Sequence, residues 1–129
     1  MKVYLSVPMI TNRALERANL MARAIEESGH QVTSPWVLGP IEHSGPAVVD
    51  VFQRDKKGAE DCDILVADVS EPSIGVGMEI MAAYKMRRRI ILVMKKGRPT
   101  SRMLQHMDGK EVVEFAEDGE LCAALKRIL

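Results

Sequence analysis

The chain has no surplus of either charge: 18 Lys and Arg are matched by 18 Asp and Glu, a formal net charge of zero. Proteins that track along nucleic acid ordinarily show a basic excess, so no broad nucleic-acid footprint is expected. Cysteine is scarce. Cys62 and Cys122 lie far apart, neither sits in a CxxC pair, and no His/Cys cluster has zinc spacing. Both read as buried thiols in a reducing compartment. No apolar run approaches the roughly 18 residues that would span a membrane, and the first residues run straight into a strand pattern instead of a secretory leader. The expected location is the cytoplasm, without a membrane partner. Low-complexity segments, internal repeats and linkers are missing too.

What is present is a globular composition, 47% apolar and 28% charged over 129 residues. It fits one domain spanning 1–129. Lys2–Ser6 reads as a buried strand. Asn12–Ser28 reads as a helix, with Leu15, Ala18, Ala22 and Ile25 at helical spacing and Gly29 as its stop. Gln31–Ser34 is a short second strand, and Pro35–Gly45 a loop rich in Pro and Gly. A second helix is expected from Pro46 to about Cys62. Ile64–Val69 is the most apolar strand, followed by a Pro/Gly turn and a helix from about Gly75 to Arg87. Arg89–Met94 and Val112–Phe115 complete the strands. Ser101–Met107 and Gly119–Leu129 complete the helices. The triplet Arg87–Arg89 reads as a solvated helix end, and the nine methionines as core filler.

Apolar strands alternating with helices predict a parallel sheet covered on both faces. Right-handed crossovers then give a flavodoxin-like, doubly wound sheet in the order 2-1-3-4-5, an α/β/α sandwich. Ligands of such sheets sit beyond the carboxyl ends of the strands. The loops Val7–Thr11, Pro35–Gly45, Ser70–Gly77 and Lys95–Ser101 are therefore the ones to inspect.

Two features break the pattern. Val48, Phe52, Asp55 and Ala59 fall within about 60° of each other on a helix, so Asp55 points where the apolar face should be. Left unpaired, a buried carboxylate is costly and its pKa rises. Asp55 is either a general acid or substrate ligand, or the partner of a buried Arg or a loop cap. The second feature is the segment from Ser70 to Glu79. Gly75 and Gly77 allow close backbone approach, Ser73 either caps a helix or binds an oxyanion, and Glu79 lies in the first turns of that helix. An acid there has a bland explanation in the helix dipole. Yet Glu79 borders the stripe of Val76, Ile80 and Ala83 instead of opposing it. The segment is no dinucleotide fingerprint, since Val7-Pro8-Met9-Ile10 has no glycine, and no P-loop, since no GK[ST] follows. A phosphoacceptor receiver would need acids where Ser6 and Val7 stand.

The run Ala67-Asp68-Val69-Ser70-Glu71-Pro72-Ser73-Ile74-Gly75-Val76-Gly77-Met78-Glu79-Ile80 closely resembles the 2′-deoxynucleoside 5′-phosphate N-hydrolases and the related nucleoside 2-deoxyribosyltransferases. The opening Val3-Tyr4-Leu5-Ser6-Val7-Pro8 is similar to the first strand and loop of the same superfamily. The resemblance implies that Glu79 attacks the anomeric carbon, that Asp55 assists and helps protonate the leaving base, and that Tyr4 orients the nucleophile. It implies that Ser73 contacts a 5′-phosphate. Ser101-Arg102-Met103-Leu104 resembles a segment that reaches into the neighbouring subunit's site, which implies a homodimer with Ser101 as a second phosphate contact and Met103 beside it.

The hydrolases usually carry Gly-Ser-Ile-Arg where this chain has Val7-Pro8-Met9-Ile10. Pro8 looks more like the transferase side. Ser6 or Arg13, or Thr11, would then have to serve the phosphate. Trp36, the sole tryptophan, either stacks on the base or anchors the core. His43 reads as an exposed loop residue. The implied reaction is hydrolysis of a (2′-deoxy)nucleoside 5′-monophosphate at its N-glycosidic bond through a glycosyl-Glu79 intermediate, with no metal or cofactor, a nucleoside being the substrate if the chain is a transferase. The alternatives are base exchange by a transferase, and a non-catalytic nucleotide-binding module.

Overall fold

The computed structural model describes residues 1–10, 14–40 and 50–129. Within them, five strands form one parallel sheet in the order β2-β1-β3-β4-β5. The strands are β1 (Lys2–Ser6), β2 (Gln31–Val32), β3 (Ile64–Asp68), β4 (Arg89–Lys95) and β5 (Lys110–Phe115). The helices are α1 (Leu15–Glu27), α2 (Val51–Asp61), α3 (Ile74–Lys85), the short α4 (Arg102–His106) and α5 (Asp118–Lys126). The doubly wound order read from the alternating pattern is thus the observed one.

The sheet divides the core in two. Val3, Leu5, Val66, Ile91 and Val93 pack with α1 and α5, and Phe115 and Leu121 join them. Tyr4, Leu65, Ala67, Ile90 and Leu92 pack on the other side with Ala59 of α2 and Val76, Ile80 and Ala83 of α3. Alternate residues of one strand serve opposite layers because the side-chain period of a strand is two. β3 is buried along its whole length, as a central parallel strand should be.

Several boundaries moved. β2 is only two residues long, and Pro35–Leu38, expected as loop, forms a 3-10 turn. α2 begins at Val51, where the side chain of Asp50 caps it by accepting from the Gln53 amide at 3.0 Å. Pro46, the expected start, lies outside the described residues, as do Thr11, Arg13, His43 and Val48. α1 stops as expected: Gly29 has φ +84°, which glycine adopts without strain. The arginine triplet is not simply solvated. Arg88 Nε donates to the Glu60 carbonyl at 2.7 Å, and Arg89 forks onto Glu111 at 2.6 and 2.8 Å. Cys62 is buried and Cys122 partly so, and both are free thiols. Among the described residues, no helix is long and apolar enough to cross a membrane.

A buried ion pair on the α1/α5 side of the sheet ties the carboxyl end of β3 to both helices. Arg17 of α1 donates to Asp68, at the end of β3, at 2.9 Å and to Asp118 of α5 at 3.3 Å. Its guanidinium also covers the Phe115 ring, 5.2 Å from the centroid. The other Asp68 oxygen accepts from the Ser70 amide at 3.0 Å, and Ser70 Oγ accepts from the Lys95 amide at 3.0 Å. This chain of contacts sets the path of the turn that leads into α3.

Candidate active site

The turn 70–73 ends at Ser73, whose extended backbone and side chain cap α3. Ser73 Oγ accepts from the Val76 amide at 3.3 Å. A capped helix start holds the following residues in a fixed rotation. Val76, Ile80 and Ala83 go into the core, and Glu79 is left half-buried beside them. Of the two roles open for Ser73, capping is the one observed, and the hydroxyl proton remains free to donate.

Glu79 has neighbours from two elements. From β1 come Tyr4 and Ser6, both fully buried. From α2 come Asp55 and Arg54. Burial is the largest influence and pushes the Glu79 carboxyl up from 4.5 to about 7; the negative charge of Asp55 pushes the same way, while Tyr4, Ser6 and Arg54 pull it down. Neither Tyr4 Oη nor Ser6 Oγ closes a hydrogen bond of ordinary geometry. Burial, followed by the charge of Glu79, holds the Tyr4 phenol protonated far above its ordinary 10.0, so it faces the carboxylate as a permanent donor.

Asp55 differs from the unpaired buried carboxylate that the stripe predicted. It is half-buried and pairs with its neighbour Arg54 at 2.8 Å. The reading of Asp55 as the partner of an arginine is therefore the observed one, although the arginine is partly exposed and not a core residue. Arg54 in turn lies over the Trp36 ring, 4.2 Å from the centroid, and Trp36 meets Tyr4 edge-on at 6.1 Å. One face of Trp36 is thus taken by a guanidinium, which makes the tryptophan part of the wall behind Tyr4. Arg54 was not singled out in the sequence, since it stands off the apolar stripe, about 100° from Asp55 on the helix.

Gly58 was also missed. A Cβ there would lie 2.5 Å from Tyr4 Cε2 and 2.9 Å from Cδ2. The signal was available: a glycine inside a helix usually marks close packing. Gly75 and Gly77 behave otherwise, for a Cβ on either meets nothing within 4 Å. Gly75, in the groove wall, leaves the entrance to Glu79 clear.

That entrance opens into a groove of about 690 Å³ between α2 and α3, with Asp55 and Glu79 in its wall beside Val51, Phe52, Met78 and Met81. Val51 and Phe52 are half-exposed, so the apolar stripe of α2 faces this groove more than the core. Ser101 and Met103 are exposed and stand apart from the groove lining. Pro8 is buried, as is Ser6. Among the described residues, no cluster of three or more His, Cys, Asp or Glu side chains converges as a metal site would require.

The fold is that of an α/β protein with two carboxylates near the carboxyl edge of its parallel sheet, one of them backed by buried hydroxyls, and such groups are chemically able to serve as nucleophile and as acid or base. No protein-family model matches the chain. Individual relatives do. A provisionally named 2′-deoxynucleoside 5′-phosphate N-hydrolase 1 of Thermofilum pendens is 38% identical over 97 residues, 73% of this chain and 67% of that protein. The 5-hydroxymethyl-dUMP N-hydrolase of Branchiostoma floridae is 33% identical over 85 residues, 63% of this chain and 81% of that protein. The structure of a CMP N-glycosidase from Clostridium botulinum superposes over the full length of both chains with a TM-score of 0.78 at 19% identity, a likeness of fold. The chain belongs to the family of 2′-deoxynucleoside 5′-phosphate N-hydrolases.

Proposed function

We propose that the chain hydrolyses the N-glycosidic bond of (2′-deoxy)nucleoside 5′-monophosphates, giving free base and (deoxy)ribose 5-phosphate. The observation that carries the residue assignment is the setting of Glu79. It is a half-buried carboxyl with a pKa near 7, facing two buried hydroxyls and a second carboxylate at the head of an open groove. One Glu79 oxygen attacks the anomeric carbon as the bond to the base breaks, and the base leaves with the electron pair. Asp55 assists by passing a proton to the base. Water then adds to the anomeric carbon, the ester bond to Glu79 breaks with its electrons returning to the carboxylate, and the water proton goes to Asp55. Tyr4 orients Glu79. The two-carboxylate logic is that of retaining glycosidases.

Ser73, at the start of α3, has a free hydroxyl proton for the 5′-phosphate, beside helix amides that favour an anion. Gly75 and Gly77 admit the nucleotide, and Pro8, Trp36 and Arg13 are assigned to the surrounding wall and loop. A homodimer accords with the apolar residues left open on α2 and α3, among them Phe52, Met78 and Met81, and with Met103, which is 75% exposed. In it, Ser101 and Met103 would serve the partner's site. The two free thiols suit the cytoplasm, and 1–129 forms one unit.

The test is to supply a deoxynucleoside, its 5′-monophosphate and the matching ribonucleotide, each with and without a free acceptor base, and to follow base release. Release from a monophosphate without acceptor is expected. Turnover that requires the acceptor would make the protein a transferase. Binding without turnover in any mixture would make it a nucleotide-binding module. Trapping a sugar phosphate on the Glu79 peptide by acid quench and mass spectrometry tests the covalent step.

A further inference from the structure

β1 alternates strictly. Val3, Leu5 and Val7 belong to the layer under α1 and α5, whereas Tyr4 belongs to the layer under α2 and α3. Ser6 is two residues beyond Tyr4 and so shares its face. It is 0% exposed. Opposite it in the register of β3 is Ala67, which brings no polar side chain. A serine there is otherwise unexplained, since leaving a buried hydroxyl without a partner is costly. Among the described residues only three buried side-chain polar atoms lack a partner: Tyr4 Oη, Ser6 Oγ and Trp36 Nε1. The first two both pull the Glu79 carboxyl down, as hydroxyls on its side of the sheet would.

We infer that Ser6 is a positioning residue for the nucleophile, a second hydroxyl donor that works with Tyr4 to aim the Glu79 carboxylate. The inference rests on Glu79 acting as proposed above. Two donors on one carboxylate fix the rotation about its last bond, which a single donor leaves free. They also stabilise the negative charge when Glu79 is the leaving group of the second step. This use takes Ser6 away from the phosphate, because Ser6 is a fully buried residue of β1 and not part of the loop beyond it. The other polar and charged groups around Glu79 are Tyr4 from β1 and Asp55 and Arg54 from α2. Lys56, Glu60 and Lys85 line the groove as well.

The test compares wild type with Ser6→Ala and Ser6→Thr. Glutamate labelled with 13C at the side-chain carboxyl reports the ionisation midpoint of Glu79 by NMR, with Glu79→Gln to assign the signal. Base release from a deoxynucleoside 5′-monophosphate reports kcat and KM. In Ser6→Ala the midpoint is expected to rise and kcat to fall on the order of 10–100-fold, with KM and Tm little changed. Ser6→Thr, which keeps the hydroxyl, restores the midpoint. An unchanged midpoint and kcat in Ser6→Ala overturns the inference. A loss of kcat with a lowered Tm, an unmoved midpoint and no rescue by threonine also overturns it, leaving Ser6 a packing residue. If wild type releases no base from any nucleotide while the midpoint still moves, the hydrolase reading falls and the Ser6–Glu79 contact stands.

Discussion

Gly58 and Tyr4 are fitted to one another: the missing side chain on α2 is the space the phenol ring occupies, and a Cβ would lie 2.5 Å from it. Gly58→Ala should therefore displace the ring and misplace Glu79. Helix propensity gains about 1 kcal/mol from the change, while overpacking costs about 1–3 kcal/mol. The expected result is a modest net loss of stability in urea unfolding and a fall in kcat of at least tenfold, roughly what misplacing a reacting group costs. Full activity in Gly58→Ala would show that the ring position does not matter to the nucleophile.

The two carboxylates should separate activity from stability. Glu79→Gln and Asp55→Asn are expected to abolish or nearly abolish base release. Glu79→Gln should also gain stability at alkaline pH. The folded state holds the Glu79 proton up to about 7, against an ordinary 4.5. Ionising the buried group thus costs stability that begins to appear above about pH 4.5 and is fully felt above about 7. The variant should exceed wild type by about 1–3 kcal/mol near pH 8, with the gap closing near pH 4. Chemical denaturation at the two pH values measures it.

Activity should follow the same ionisation. In the proposed mechanism Glu79 attacks only as the carboxylate, so kcat/KM is expected to climb with pH on a limb centred near 7. Base release measured from about pH 5 to 9 reads the limb directly. A flat profile across that range would remove Glu79 ionisation from the rate.

Arg17→Met leaves Asp68 charged and buried, which typically costs about 3–5 kcal/mol. Adding Asp68→Asn should recover much of the loss, because the amide oxygen can still accept from Ser70. Urea midpoints of the single and double variants settle this. Equal losses in both would mean that the guanidinium matters mainly for its packing on Phe115.

The sheet was legible because its message is one-dimensional: apolar runs of strand length alternate with helical stripes, and chirality does the rest. Glu79, Asp55 and Tyr4, assigned on the resemblance, do gather around one point. Other features were hidden for physical reasons. Arg17 shares a row with the buried Met21 and Ala24, and a cation there is intelligible only once Asp68 arrives from another element. The stripe of α2 appeared to be a core face, yet Phe52 is 53% exposed. A sequence pattern cannot tell a face covered by its own chain from one left open. The start of α2 was misplaced because Pro46 and Asp50 both resemble helix starts, and the structure shows capping by Asp50.

The two-sided alternation of β1 also limits how this protein can change over evolutionary time. A deletion or insertion of one residue within the strand would turn Tyr4 and Ser6 toward the α1 layer and send Val3 and Leu5 to the layer that holds Glu79. Only even-numbered shifts keep hydroxyls on the Glu79 side of the strand and hydrocarbon behind it. Natural variation in length should therefore collect in the loops, and the first strand should tolerate substitution far better than slippage.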